Sequence, residues 1–268
     1  MTRTILLAAV LAAGLLAACS EPASVDPAPS GREASAPRDS AAAIIERARR
    51  THGAGVLDYA EVSFRFRGTP FTVRREGGTF EYARVVADSA GVVRDVLDNE
   101  GFRRTEAGRP VALGPEEAAA AEGAVNSVVY FALLPYPLAD PAVQPRLLAA
   151  DTLGGEPYHR VEVTFQPEAG GRDHQDRFLY WIHRDRYTVD YLAYSYDVND
   201  GGIRFREAFN PRAVGGVRFA DYRNYAPETL EPALESLGRM YETDSLALVS
   251  EIVLDSVRVT PLRGVDGS

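Results

Sequence analysis

The sequence contains no lysine: all 29 of its basic residues are arginine. Chemistry that needs a lysine amine is excluded, namely a Schiff base, a Walker-type phosphate loop and a serine–lysine dyad. There is one cysteine, Cys19, so the chain can form no internal disulfide and its fold must rest on its own core. G-x-S-x-G, H-E-x-x-H and C-x-x-C are all missing. Gly53-Ala54-Gly55 lacks the third glycine of a dinucleotide fingerprint and reads instead as the end of a helix. Positive charge is in deficit as well. A net charge of −9 argues against nucleic acid as a partner and against docking on anionic headgroups by charge.

What the N-terminus does have is a leader. Arg3 is the only charge before the apolar run Ile5 to Leu16, and Ala17-Ala18 lead to Cys19. A charged start, a short apolar segment and small residues at a cleavage point describe a signal peptide, residues 1–18. The run is too short for a permanent transmembrane helix. Leu16-Ala17-Ala18-Cys19 also resembles the lipobox of bacterial lipoproteins. That resemblance implies cleavage before Cys19 and acylation of its thiol and amine; ordinary cleavage near an incidental cysteine is the alternative. Each buried methylene contributes about 0.8 kcal/mol, so several acyl chains would hold the protein at a membrane. Ser20, where aspartate would stand in an inner-membrane lipoprotein, implies the outer membrane, facing the periplasm or the cell surface.

Residues 19–38 follow as lipidated cysteine and tether. Ser20 to Arg38 holds four prolines among Ala, Ser, Glu and Asp, with almost nothing to bury. Such a segment reads as disordered, reaching roughly 25 Å as a coil and nearer 60 Å as polyproline. The remainder, 39–268, is expected to be one domain. Asp39 or Ser40 can cap a helix to about His52, with Ile44, Ile45 and Ala48 on one face and Gly53 as its stop. In Glu61 to Arg67 apolar and polar residues alternate strictly, as in a half-buried strand, and Phe71 to Arg75, Thr79 to Val86 and Val92 to Leu97 continue the pattern. A helix from Pro115 is stopped by Pro135; its second half, Val125 to Leu134, is apolar nearly all round and should be buried. Further strands run from Tyr158 to Phe165, Arg177 to His183, Thr188 to Tyr196, Ile203 to Phe209 and Val217 to Tyr225. A helix at Glu228 to Met240 and a last strand, Leu246 to Val259, complete the count. The fold class is mainly β: a curved antiparallel sheet or half-open barrel of about eleven strands, plugged by helices.

The stretch RDHQDRFLYWIHRD, Arg172 to Asp185, offers two histidines and three aspartates. If its centre is a strand, Asp176 and His183 stand roughly 23 Å apart at 3.3 Å per residue, too far to share an ion. Asp173 and His174 then belong to one loop, and His183 and Asp185 to another. No metal and no cofactor is expected. With turns at Arg184 to Tyr187 and Asp197 to Gly202, Trp181 should face Asp190, Leu192 should face Glu207, and Tyr194 should face Phe205. One face would then carry Trp181, Asp190, Leu192, Tyr194, Phe205 and Glu207, with Arg204 and Arg206 on the other.

These hairpins carry a resemblance. Trp181-Ile182, a polar turn, Tyr187 to Tyr196, the Asp-x-x-Asp-Gly-Gly turn, Arg204-Phe205 and Val214-Gly215-Gly216-Val217 resemble consecutive hairpins of the LolA/LolB-like lipoprotein carriers and receptors. The order of elements is similar too. Through Asn126 to Phe131, Leu134-Pro135-Tyr136 and Arg204 to Ala208, the chain also resembles a family of secreted bacterial lipoproteins of unknown function. The carrier resemblance implies a half-barrel around an apolar interior.

Two kinds of function remain open at this level. A half-barrel lined by Trp181, Asp190, Leu192, Tyr194, Phe205 and Glu207 could bind a lipid or acyl chain without catalysis, or those residues could form a solid core. Asp190 and Glu207, as diagonal neighbours some 7–8 Å apart, could instead serve acid–base hydrolysis, unless arginines such as Arg204 or Arg206 neutralise them. A purely structural role in the envelope is the third reading. The binder is the reading adopted, with no catalytic residue assigned.

Overall fold

The computed structural model describes residues 40–89, 91–166, 175–197 and 201–262. The leader, Cys19, the tether, Asp173 and His174 lie outside these residues. Ser40 caps helix α1 (Ala41–Thr51), its hydroxyl accepting the Ala43 N–H at 3.2 Å, and Ile44, Ile45 and Ala48 form the buried stripe. Gly53 ends the helix with φ +86°; a Cβ there would stand 2.3 Å from the Gly216 carbonyl oxygen, so only glycine fits. A single helical turn, α2 (Ala54–Leu57), leads into the strands.

Fifteen strands form two antiparallel sheets among the described residues. The first sheet is built from β1 (Tyr59–Phe66), β2 (Thr69–Glu76), β3 (Thr79–Asp88), β4 (Gly91–Asp98), β5 (Gly101–Glu106) and β6 (Arg109–Val111), in sequence order, with β15 (Leu254–Pro261) beside β1. Its alternation places Val62 opposite Val73 and Phe64 opposite Phe71, whose rings stack at 5.4 Å. Cross-strand pairs of this kind contribute roughly 0.2–1 kcal/mol each. The second sheet takes β7 (Val143–Leu147), β8 (Asp151–Leu153), β9 (Glu156–Phe165), β10 (Arg177–His183), β11 (Val189–Tyr196), β12 (Gly202–Val214), β13 (Val217–Ala226) and β14 (Ala247–Ile252). Its order is β14-β13-β12-β11-β10-β9-β7, with β8 also on β9.

The two sheets join where β14 runs into β15. The expected last strand, Leu246 to Val259, is divided at Val253 and serves both sheets, one half each. At this corner Asp221 of β13 accepts the Leu254 N–H at 3.0 Å and the Arg212 guanidinium at 3.0 Å. Apart from this corner the sheets are not closed into a barrel. The result is the half-open barrel that the alternation implies, with β5 to β8 as additional short strands. Two of these carry a proline, Pro110 in β6 and Pro145 in β7, at the ends of their sheets, where a missing donor costs no ladder bond.

Helix α3 (Pro115–Ala132) lies over β3, β4 and β5 and buries Ala121, Val125, Val129 and Ala132. It is not buried all round, since Asn126 and Ser127 are exposed. The helix expected at Glu228 to Met240 is shorter: Leu237–Glu242 form α4 after a 3₁₀ turn at Leu234–Ser236.

Candidate functional site

Strands β10 to β12 carry the residues singled out from the sequence, and they divide between two faces. The turn at Arg184 to Tyr187 is as expected, with His183 N–H donating to Thr188 and Ile182 opposite Val189. Asp190 then forms a bulge, so Trp181 faces Tyr191 instead of Asp190. The next turn is one residue shorter than expected, which sets Leu192 opposite Arg206 and Ala193 opposite Phe205. Two slips follow from these two features. The first sends Leu192 and Tyr194 to the face opposite Trp181; the second keeps Phe205 and Glu207 on the face of Trp181.

The Trp181 face is the outer one, covered by α4. Trp181 is fully buried among Leu153, Phe205, Leu234 and Leu237, and its indole N–H donates to Asp151 Oδ2 at 3.0 Å. Tyr191, Phe205 and Tyr241 continue this layer with stacked and tilted rings. A shallow groove of about 530 Å³ opens beside it, lined by Gly154, Gly155, Tyr225, Tyr241, Glu242, Asp244 and Leu246. Glu207 accepts from Arg223 at 3.1 Å and from the Tyr225 hydroxyl at 3.2 Å. Asp190 accepts from Tyr158 at 3.2 Å and from Arg186 at 3.4 Å, with Arg218 at 3.8 Å. Arginines do neutralise both carboxylates, but they are Arg223, Arg186 and Arg218. Arg204 and Arg206 point to the other face.

The inner face is the one covered by α1 and the end of α3. Val161, Val163, Phe178, Tyr180, Ile182, Leu192, Tyr194 and Tyr222 meet Ile44, Ile45, Leu134 and Leu138 there, with Tyr130 and Phe131 packed against them. On the first sheet, Val62, Phe64, Phe71 and Val73 meet Val129, Ala132 and Leu133. Rings form the seam between α3 and the second sheet: Phe131 lies 5.2 Å from Tyr194 and Tyr130 lies 5.6 Å from Phe178. Inside this seam the Tyr130 and Tyr180 hydroxyls share a hydrogen bond of 2.8 Å, and burial pushes the Tyr180 phenol well above its usual pKa. Arg206 enters the same space from β12, and sequence reasoning assigned it only to neutralising acids. Nothing in Arg204-Phe205-Arg206 distinguishes an inward arginine from an outward one until the register is known.

Two further inward polar groups are fully accounted for by packing. Asp95 of β4 is clasped by Arg84 at 2.8 Å and by Arg104 at 2.6 Å. Burial pushes its carboxyl up, but the two guanidiniums outweigh that and hold it below the usual range. Tyr136 donates to Asp58 and accepts from Arg75, linking α3's exit to the first sheet. Of the two histidines in the Arg172 to Asp185 stretch, the described one is structural: His183 Nδ1 accepts the Asp185 and Arg186 N–H groups, so its Nε2–H donates to Glu156 at 2.8 Å. No cluster of three or more His, Cys, Asp or Glu suited to a metal occurs among the described residues.

The sequence matches no curated protein. Among solved structures, a DUF1329 family protein from Desulfovibrio piger is similar at a TM-score of 0.47 and 12% identity, over 82% of this chain and 93% of that one. A LolA superfamily protein from Nitrosomonas europaea is similar at 0.46 and 10% identity, over 85% and 95%. A family model covers residues 37–253, from just before α1 to the sheet corner, and on that match the chain belongs to the family of unknown function DUF6503.

Proposed function

We propose that the protein is a non-catalytic binder of an amphiphile at the cell envelope, held to the outer membrane through acylated Cys19. The ligand's apolar part lies on the inner face, along Leu192, Tyr194, Tyr180 and Phe178, rather than on the outer face with Trp181 and Phe205. The observation that carries this reading is the aromatic seam between α3 and the second sheet. Within each sheet the wall is held by backbone ladders, whereas α3 meets the second sheet through side chains. Parting the seam breaks no ladder hydrogen bond and uncovers apolar and aromatic surface contributed by both sheets. The ion pairs around Asp190 and Glu207 support the non-catalytic part, because each carboxylate is engaged by its own arginines.

The purified, delipidated full chain should bind one equivalent of a fluorescent fatty acid saturably, and native mass spectrometry of undelipidated protein should show a co-purified lipid. No saturable binding of any fatty acid or phospholipid, together with no co-purified lipid, would refute the reading. The anchor is tested separately: an unmodified N-terminus on the mature protein would exclude acylation at Cys19.

A further inference from the structure

Arg206 is a charge to which no described residue supplies a counter-charge. It sits in the middle of β12 on the inner face, 7% exposed, between Leu192 and Asn224 on the neighbouring strands. One guanidinium nitrogen, Nη2, donates to the Tyr194 hydroxyl at 2.7 Å. The Phe131 ring centre lies 3.8 Å from its Cζ and the Tyr194 ring centre 5.0 Å. Its Nε is buried without an acceptor, and so is the Oδ1 of Asn224, its cross-strand neighbour, without a donor. Among the described residues no carboxylate forms an ion pair with it. Tyr194, Tyr222 and Tyr180 are the groups that surround it.

Arg84 and Arg104, also inward, converge on Asp95. The acids of the second sheet are taken elsewhere: Glu162 by Arg146 and Arg177, Glu207 by Arg223, Asp190 by Arg186 and Arg218. An apolar side chain of similar length would fill the Arg206 position at no electrostatic cost, whereas an uncompensated buried guanidinium is expensive. Aromatic rings recover part of that cost and a trapped water could satisfy Nε and Asn224, but neither supplies a negative charge.

We propose that Arg206, assisted by the Tyr194 hydroxyl, is the subsite for a negatively charged head on the ligand, so that the amphiphile is an oxyanion at the end of an apolar chain. The proposal rests on the inner-face reading above and specifies its ligand class. A guanidinium offers a planar fork of donors that matches a carboxylate or a phosphate, and only one of its donors is engaged by a hydrogen bond here. The apolar surface of Phe178, Leu192 and Tyr194 adjoins the fork and receives the chain.

The test compares ligands of equal chain length on the delipidated full chain: palmitate, palmitoyl lysophosphatidic acid and neutral monopalmitoylglycerol, with acetate and inorganic phosphate as chainless controls. The two anionic lipids should bind about tenfold to a hundredfold tighter than the neutral one. Whichever of them binds tighter identifies carboxylate or phosphate as the natural head. Arg206→Met should reduce the anionic lipids to the neutral lipid's affinity, leave the neutral lipid unchanged, and keep or raise Tm. Tyr194→Phe, a milder change, should narrow the same preference and serves if Arg206→Met does not fold. Equal binding of anionic and neutral lipids by the wild type would overturn the headgroup subsite and leave the amphiphile reading standing. Failure of all three lipids to bind would overturn that reading itself. Competition by millimolar phosphate or acetate as strong as by the lipids would also overturn the proposal, because the site would then take a free anion. A lowered Tm in Arg206→Met with the anionic preference intact would make the arginine merely structural.

Discussion

His52, at the end of α1, is held neutral by its surroundings. Its Nε2 accepts the Val189 N–H at 3.3 Å, and burial with the nearby Arg218 charge lowers its pKa to about 3. An unfolded histidine titrates near 6.5. Between those values the unfolded chain takes up a proton that the folded chain refuses, so stability falls as pH drops from about 6.5 toward 3 and is indifferent to His52 above that window. The shift corresponds to a loss on the order of 5 kcal/mol across the window. Tm measured from pH 7 to 4 should therefore fall more steeply in the wild type than in His52→Gln, and parallel slopes would contradict this account. Carboxylates differ by burial in the same way. Asp95, 1% exposed between two guanidiniums, should cost about 3–5 kcal/mol as Asp95→Asn, because two partly buried cations lose their buried partner. Glu207→Gln, at a partly exposed pair, should cost about 1 kcal/mol or less by urea unfolding. Equal costs would mean that Glu207 has a role beyond its arginine. The residue types at both positions were plain in the sequence, but their partners were not, since Arg223 and Arg104 reach them across strands whose register the sequence leaves open.

Among the elements, α4 and the strand beneath it show how far alternation can be read. Strands β9, β10, β11 and β13 each lie within a residue or two of their expected spans, because period-two alternation over seven or more residues has few competing explanations. Strand β12 runs five residues beyond its expected end at Phe209, to Val214. Facing partners were harder. A bulge at Asp190 moved Leu192 and Tyr194 through the sheet, and one residue fewer before β12 returned Phe205 and Glu207 to the face of Trp181, since a one-residue slip reverses every side chain beyond it. Nothing in Thr188-Val189-Asp190-Tyr191 announces a bulge. The helix expected at Glu228 to Met240 reduces to α4, whose role is to cover Trp181: a Cβ added at Gly238 would stand 3.1 Å from the indole Cζ2. Wild-type tryptophan emission should consequently be blue and unmoved by saturating amphiphile, as the indole lies under α4 and away from the inner face. Gly238→Leu should lift α4, shift the emission to the red and cost about 1–3 kcal/mol through overpacking. A ligand-dependent emission in the wild type would place the binding surface on the outer face after all.

At the scale of the whole molecule, the half-barrel depends on how its two sheets are kept together. Sequence alternation implied one strongly curved sheet, and Leu246 to Val259 looked like a single strand within it. The strand is split at Val253, whose neighbours on either side pair with different partners, Ile252 with Tyr222 and Leu254 with Phe66. A split of this kind leaves no mark in composition, because both halves alternate normally; it is imposed by the buried carboxylate of Asp221 on the adjacent strand. Asp221 accepts the Leu254 N–H and bonds Arg212 and Asn210, the latter at 2.7 Å, so one side chain fastens the second sheet to the first strand of the other. Arg212 in turn donates to the Leu254 carbonyl at 2.6 Å, closing the fastening on both backbone groups of one residue. Asp221→Ala leaves a buried N–H without its acceptor and the Arg212 guanidinium without its counter-charge, at a cost of about 3–5 kcal/mol. If the corner is what joins the sheets, amide exchange in that variant should accelerate together in β14, β15 and β1, while the ladders of β2 to β4 and β10 to β12 keep their protection. Uniform acceleration throughout both sheets would show instead that they unfold as one unit and that the corner is an ordinary part of a single curved sheet.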